Sequence, residues 1–138
     1  MWVLLDSDIV LDFILKRPPF NVEAKAIFDC AGRGEIEIFV SAITPINAFY
    51  MTRKEKSKDI AFHAVEGLVK IVEVCRTDKK VLQNPFSLNF TDYEDAVQCA
   101  SAMAENLDAI ITRNTKVYKN SSVKIYSPSE FLQFLQTV

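Results

Sequence analysis

Four consecutive apolar residues, Trp2-Val3-Leu4-Leu5, run straight into Asp6-Ser7-Asp8, and this junction constrains the fold more than any other stretch. The run is continuous rather than alternating, so it suits a strand buried on both faces. It is far too short to cross a membrane or to act as a secretory leader. A strand buried on both faces needs a layer of helices on each side.

The segments that follow supply those layers. Ile9, Val10, Phe13 and Ile14 recur at helical spacing until Lys16-Arg17-Pro18-Pro19 halts the pattern. Asn21 is placed to cap a second helix through Ala24, Ala26, Ile27 and Phe28, with Gly32-Arg33-Gly34 as its left-handed stop. Residues 36–40 read as the second strand. Thr44-Pro45 offers a capping hydroxyl before a proline at the first helical position, and that helix continues through Ile46, Ala48, Phe49 and Met51. After the charged run 53–58, a helix is predicted over 59–69, a third strand over 71–75, a helical turn over 79–83 and a loop at Asn84-Pro85. Thr91-Asp92-Tyr93-Glu94 has capping-box spacing ahead of Ala96, Ala100, Met103 and Ala104. Residues 108–112 and 123–126 read as the fourth and fifth strands, and Ser127-Pro128-Ser129-Glu130 as a capping box opening the last helix.

Strict alternation of strand and helix predicts right-handed crossovers and an α/β fold: a three-layer α/β/α sandwich around a mostly parallel five-stranded sheet. A length of 138 residues suits one domain over 1–138 with a core of its own. The formal net charge of -2 means that any nucleic-acid binding must be local rather than a property of the whole surface. Cys30, Cys75 and Cys99 each lie in apolar surroundings without paired spacing, which predicts buried thiols and a reducing, cytoplasmic setting. His63 is the only histidine, so histidine-based catalysis and histidine metal clusters are excluded. Three scattered glycines leave no phosphate-cradling loop.

In an open parallel sheet, ligands bind outside the carboxyl ends of the strands. The residues found there are Asp6 and Asp8 after the first strand, Ser41, Thr44 and Asn47 after the second, Asp92 and Asp95 at the start of the long helix, and Thr112, Arg113 and Asn114 after the fourth. Each acid alone has a simpler explanation. Asp6 would cap the first helix; Asp92, Glu94 and Asp95 would favour the positive end of theirs; Asp8 and Asp12 would form a solvated face. Two acidic clusters at one sheet edge, however, repel unless a cation offsets them. Arg113, Lys116 and Lys119 stand at the same edge as candidate contacts for nucleic-acid phosphates, with Tyr118 available to stack on a base, or else form a solvated loop. Thr112 and Asn114 either orient site waters or tie the loop to neighbouring backbone.

The blocks LLDSDIVLD (4–12), VSAIT (40–44), TDYEDAVQCASAMAENLDAIITRNTK (91–116) and YSPSEFL (126–132) occur in the order found in bacterial PIN domains, which the chain resembles over its whole length. These include toxins of toxin–antitoxin modules. The resemblance implies a metal-dependent endoribonuclease in which carboxylates hold Mg²⁺ or Mn²⁺, with RNA as substrate, an antitoxin-like protein as partner and a homodimer as assembly. Carried over by position, the first carboxylate is Asp6 and the third is Asp95, with Asp92 as an accessory. The second falls at or next to Asn47, with no acid nearby until Glu55, and the fourth falls near Val117. That implies a weakened metal site, in which Asp6 and Asp95 are the metal ligands and Asn47 and Asp92 are auxiliary. The alternative is a degenerate PIN domain that binds RNA or protein without cutting. A phosphorylated receiver module is disfavoured, since Cys75-Arg76-Thr77-Asp78 offers only a poor acceptor after the third strand.

Overall fold

The computed structural model describes residues 1–138. Strand β1 (Trp2–Leu5) leads into α1 (Ser7–Ile14) and α2 (Asn21–Gly32), then β2 (Glu37–Val40), α3 (Ile43–Glu55) and α4 (Lys58–Ile71). Next come β3 (Glu73–Val74), α5 (Lys79–Gln83), a 3-10 turn (Asn84–Ser87), α6 (Tyr93–Ala104) and β4 (Ala109–Ile111). A second 3-10 turn (Thr115–Tyr118), β5 (Lys124–Tyr126) and α7 (Pro128–Gln136) complete the chain. The sheet order is β3-β2-β1-β4-β5 and every pairing is parallel, so the sheet is wholly rather than mostly parallel.

The central position of β1 follows from its apolar run. Val3, Leu4 and Leu5 are all fully buried, but they serve different layers. Val3 and Leu5 join Ile38, Val40, Ala109 and Ile111 in a core completed by Ile9 and Val10 of α1, Ile27 of α2 and Phe131 of α7. Leu4, Phe39 and Ile110 point the other way, onto Cys99 and Ala102 of α6 and Tyr118. Alternate residues therefore fill opposite faces, and each fully buried Leu or Ile contributes about 1.5–3 kcal/mol.

Several helix starts differ from expectation, for identifiable reasons. Asn21 is the first residue of α2 rather than its cap, because the preceding segment is already turning and the Asn21 N–H donates to the Arg17 carbonyl at 2.8 Å. Thr44 lies inside α3, where its Oγ1 sits 2.9 Å from Ser7 Oγ, so two buried hydroxyls satisfy each other instead of capping a helix. At α6 the cap is Asp92, not Thr91: its carboxylate accepts from the Glu94 N–H at 3.3 Å, and negative charge there also suits the helix dipole. Glu94 thus falls one position earlier in the helix than a capping box requires. The third strand is short because Ile71 still belongs to α4; a brief edge strand also limits exposed pairing groups.

Other boundaries follow the sequence closely. Ser127 and Glu130 form the expected reciprocal capping box, with bonds of 3.2 and 2.8 Å. Helix α2 ends in nested bonds from Gly34 N–H to the Ala31 carbonyl and from Glu35 N–H to the Cys30 carbonyl, with Gly34 at φ +78°, a conformation that favours glycine. All three cysteines are buried and unpaired, and burial pushes the Cys75 thiol up to about 12. No helix is long and apolar enough to cross a membrane.

Candidate functional site

Parallel pairing brings the carboxyl ends of β1 and β4 side by side, with the Asp6 N–H donating to the Ile111 carbonyl at 3.0 Å. Asp6 holds the cap position of α1, but its side chain does no capping. Instead its carboxylate accepts from Thr112 Oγ1 at 2.7 Å, Gln98 Nε2 at 3.1 Å and Tyr118 OH at 3.3 Å. All three donors are neutral, and Asp6 itself is only 5 % exposed. Thr112 in turn accepts from the Asn114 N–H at 3.0 Å, so this hydroxyl both ties down the loop and orients Asp6.

A cleft of about 260 Å³ opens beside Asp6, lined by Ser7, Asp8, Asp92, Glu94, Asp95, Gln98, Asn114 and Val117 as well. Five carboxylates and no basic residue face it. The electrostatic cost is visible in their acidities. Burial first, then the charges of Asp6 and Asp92, push Asp95 up to about 7. Burial and Asp6 raise Asp8, with Arg113 partly offsetting them. Glu94 is raised by burial and by Asp92, while its hydrogen bond from Asn47 opposes the shift. Burial, followed by the charge of Asp6, also pushes the Tyr118 hydroxyl up, which keeps it a donor.

The donor set is all oxygen and acidic, which matches a hard divalent cation. No three acidic side chains converge closely enough to bind one ion by themselves. Mg²⁺ does not require it, since it keeps several waters and is anchored by one or two carboxylates. A second observation points the same way. Gln98 is 1 % exposed, and with Nε2 committed to Asp6 its Oε1 has no hydrogen-bond partner. Reversing the amide would set its oxygen against the Asp6 carboxylate, so the orphan is not removed by a flip. A buried acceptor without a donor, in a cleft of this charge, calls for a donor from outside the protein, and water, including water carried by a hydrated cation, has the right chemistry.

The structure thus brings together Asp6, Asp92, Asp95, Thr112 and Asn114. Asn47 stands at the rim, where its Nδ2 donates to Glu94 Oε1 at 2.7 Å. Lys116 and Lys119 are exposed at the second 3-10 turn. Three expectations need correction. Arg113 is not a free phosphate-binding cation, since its guanidinium grips Asp12 through bonds of 2.7 and 3.3 Å and stacks 4.0 Å over the Phe20 ring. Asp12 is accordingly fully buried rather than on a solvated face. Tyr118 is 1 % exposed and faces Asp6, so it has no free ring face for a base.

Sequence reasoning missed Gln98 as a site residue and gave Glu94 only a helix-end role. The signal for Gln98 was a long polar side chain one turn after Asp95, set among the buried Val97, Cys99 and Ala100. Such a residue must find a partner inside the fold.

With this geometry in view, comparison with known proteins identifies the class. The PIN domain model matches residues 2–116, so the chain belongs to the PIN domain family. Solved structures share the fold at low identity. VapBC2 from Rickettsia felis, bound to a DNA fragment from its promoter, aligns with a TM-score of 0.74 and 18 % identity over 92 % of this chain and 98 % of that one. A toxin–antitoxin complex from Klebsiella pneumoniae gives 0.69 and 20 % over 91 % and 97 %. The sarcin–ricin-loop-cleaving toxin VapC20 of Mycobacterium tuberculosis gives 0.64 and 9 % over 78 % and 86 %. No curated protein sequence matches the chain.

Proposed function

We propose that this protein is a toxin-type endoribonuclease that hydrolyses RNA phosphodiester bonds with Mg²⁺ or Mn²⁺ at a sparsely liganded site. The observation that carries the reading is a buried Asp6 held only by neutral donors and facing Asp95 across a cleft without any basic group. Structural carboxylates at this depth are paired with cations; this one awaits one.

Asp6 and Asp95 are the residues that would hold the ion, and bound there it would offset phosphate charge and polarise an attacking water. Thr112, Gln98 and Tyr118 fix the Asp6 oxygens, so that little reorientation remains when a cation arrives. Asp92 closes the same edge from the cap of α6. Lys116 and Lys119 are exposed, follow the cleft-lining Asn114 in the chain, and would hold flanking phosphates.

An antitoxin-like protein is the proposed partner, and a homodimer would lengthen the RNA track. The fold shared with toxin–antitoxin complexes supports the partner, as does an exposed apolar trough between α3 and α4 formed by Ile46, Tyr50, Phe62 and Val69. The proposed setting is cytoplasmic.

A second reading, a PIN domain that binds RNA or protein without cutting, is favoured by Val117, which closes the wall where relatives by resemblance carry an acid, and by Asn47. One experiment separates the two. Cleavage of a structured RNA panel is followed while Mg²⁺ and Mn²⁺ are titrated into wild type, Asp6→Ala and Asp95→Ala. Metal-dependent cutting that disappears in both variants establishes the nuclease. Equal silence of all three at saturating metal removes it and leaves the binding role.

A further inference from the structure

Helix α3 lacks the acid expected at Asn47, yet the cleft is not short of a carboxylate at that side. Glu94, on the first turn of α6, reaches across to Asn47, whose Nδ2 donates to its Oε1 at 2.7 Å. A glutamate that served only the helix dipole would extend into solvent. Glu94 instead is half-buried, anchored to a residue 47 positions away, and pointed into a cleft already holding Asp6, Asp92 and Asp95. Asn47 is the residue type that makes this possible. An acid there would repel Glu94, whereas an amide supplies the donor and leaves the charge on Glu94.

We propose that Glu94, positioned by Asn47, takes over the acidic role that α3 has lost: with the unpartnered Oε1 of Gln98, its carboxylate accepts hydrogen bonds from the water shell of a divalent cation held by Asp6 and Asp95. This rests on the metal site proposed above. It agrees with the absence of three directly converging acids, because Glu94 acts through water rather than as a direct ligand. It accounts for Gln98 too, since a hydrated ion donates to Oε1 while Nε2 stays on Asp6. Asn47 acts through Glu94 and is a positioning residue.

The test is Mn²⁺ binding by titration calorimetry on the full-length protein, beside its thermal midpoint without metal. Glu94→Gln keeps an acceptor for Asn47 but removes the charge, and weakens Mn²⁺ about 10-fold, the usual effect of losing a partner behind the ligands. Its metal-free midpoint stays level or rises, because a crowded negative charge is gone; a purely structural role would lower it. The double variant Asn47→Asp with Glu94→Gln reverses the hydrogen bond and returns the charge to α3, restoring affinity to within about 3-fold of wild type. Wild-type affinity in Glu94→Gln alongside lost binding in Asp95→Ala overturns this proposal and leaves the metal site standing. Wild type that binds no Mn²⁺, or binds it no better than Asp95→Ala, overturns both.

Discussion

Two aspartates at opposite ends of α1 are buried, and their surroundings could hardly differ more. Asp12 is completely enclosed and meets the Arg113 guanidinium through two bonds, with Phe20 covering the cation. Asp6, 5 % exposed, meets two hydroxyls and an amide. Burying a carboxylate costs several kcal/mol, and only at Asp12 does a protein cation offset that cost. At Asp6 neutral donors lower it in part and the remaining charge is reinforced by Asp95, Asp92 and Glu94 across the cleft. Burial therefore does not distinguish an acid that braces the fold from one proposed to hold a cation. What distinguishes them is whether the fold supplies the counter-charge.

The largest expected effect lies on the structural side. Arg113→Ala leaves Asp12 buried and unpaired and destabilises the protein by about 3–5 kcal/mol in urea unfolding. A loss below about 1 kcal/mol would erase the contrast, because Asp12 would then tolerate burial as Asp6 does.

On the other side, removing an acid helps the metal-free fold. Asp95, ordinarily ionising near 3.8, is raised to about 7, so the folded chain holds this proton more tightly than the unfolded chain does. Stability from this group is present below about 4 and is lost as pH rises through about 7. Asp95→Asn abolishes that dependence. Because the carboxyl is partly exposed, solvent screening limits the gain of the variant at pH 8 to about 1 kcal/mol, with none at pH 4. Thermal midpoints of the two proteins across that range, in chelator, check the sign.

A smaller effect tests the orphaned amide. Gln98→Met fills the same space without polar atoms, so unfolding free energy changes by less than about 1 kcal/mol, since the lost bond to Asp6 is balanced by removal of an unsatisfied oxygen. Mn²⁺ affinity nonetheless falls about 10-fold, as expected for a group behind the ligands. The smallest is Tyr118→Phe, which gives up only the longest of the Asp6 bonds and costs about 0.5–1 kcal/mol in unfolding experiments.

The contrast between the two aspartates was only half visible in the sequence. Periodicity located β1, α6 and β4, because continuous apolar runs and an Ala-rich helix leave few other solutions, and these elements alone bring Asp6 toward Asp95. The Asp12–Arg113 pair joins residues 101 positions apart, and nothing in local spacing reports it. Without it, Asp12 reads as surface and Arg113 as an RNA contact. Cap positions moved for a related reason. Thr44 was claimed by Ser7, and Asp92 displaced Thr91, through contacts and electrostatics that local patterns do not contain. That one-residue shift at α6 sets Glu94 where Asn47 can hold it, so the helix start and the site geometry are one fact.

The central claim is that the Asp6–Asp95 edge carries negative charge for which the fold provides no partner and which a divalent cation offsets. Its most direct test is the change in thermal midpoint on adding Mn²⁺ at pH 7.5 to wild type, Asp6→Asn and Asp95→Asn. A ligand that binds only the folded state raises the midpoint in proportion to its binding. The account predicts a clear rise in wild type and almost none in either variant; equal rises in all three proteins, or none in wild type, would contradict it.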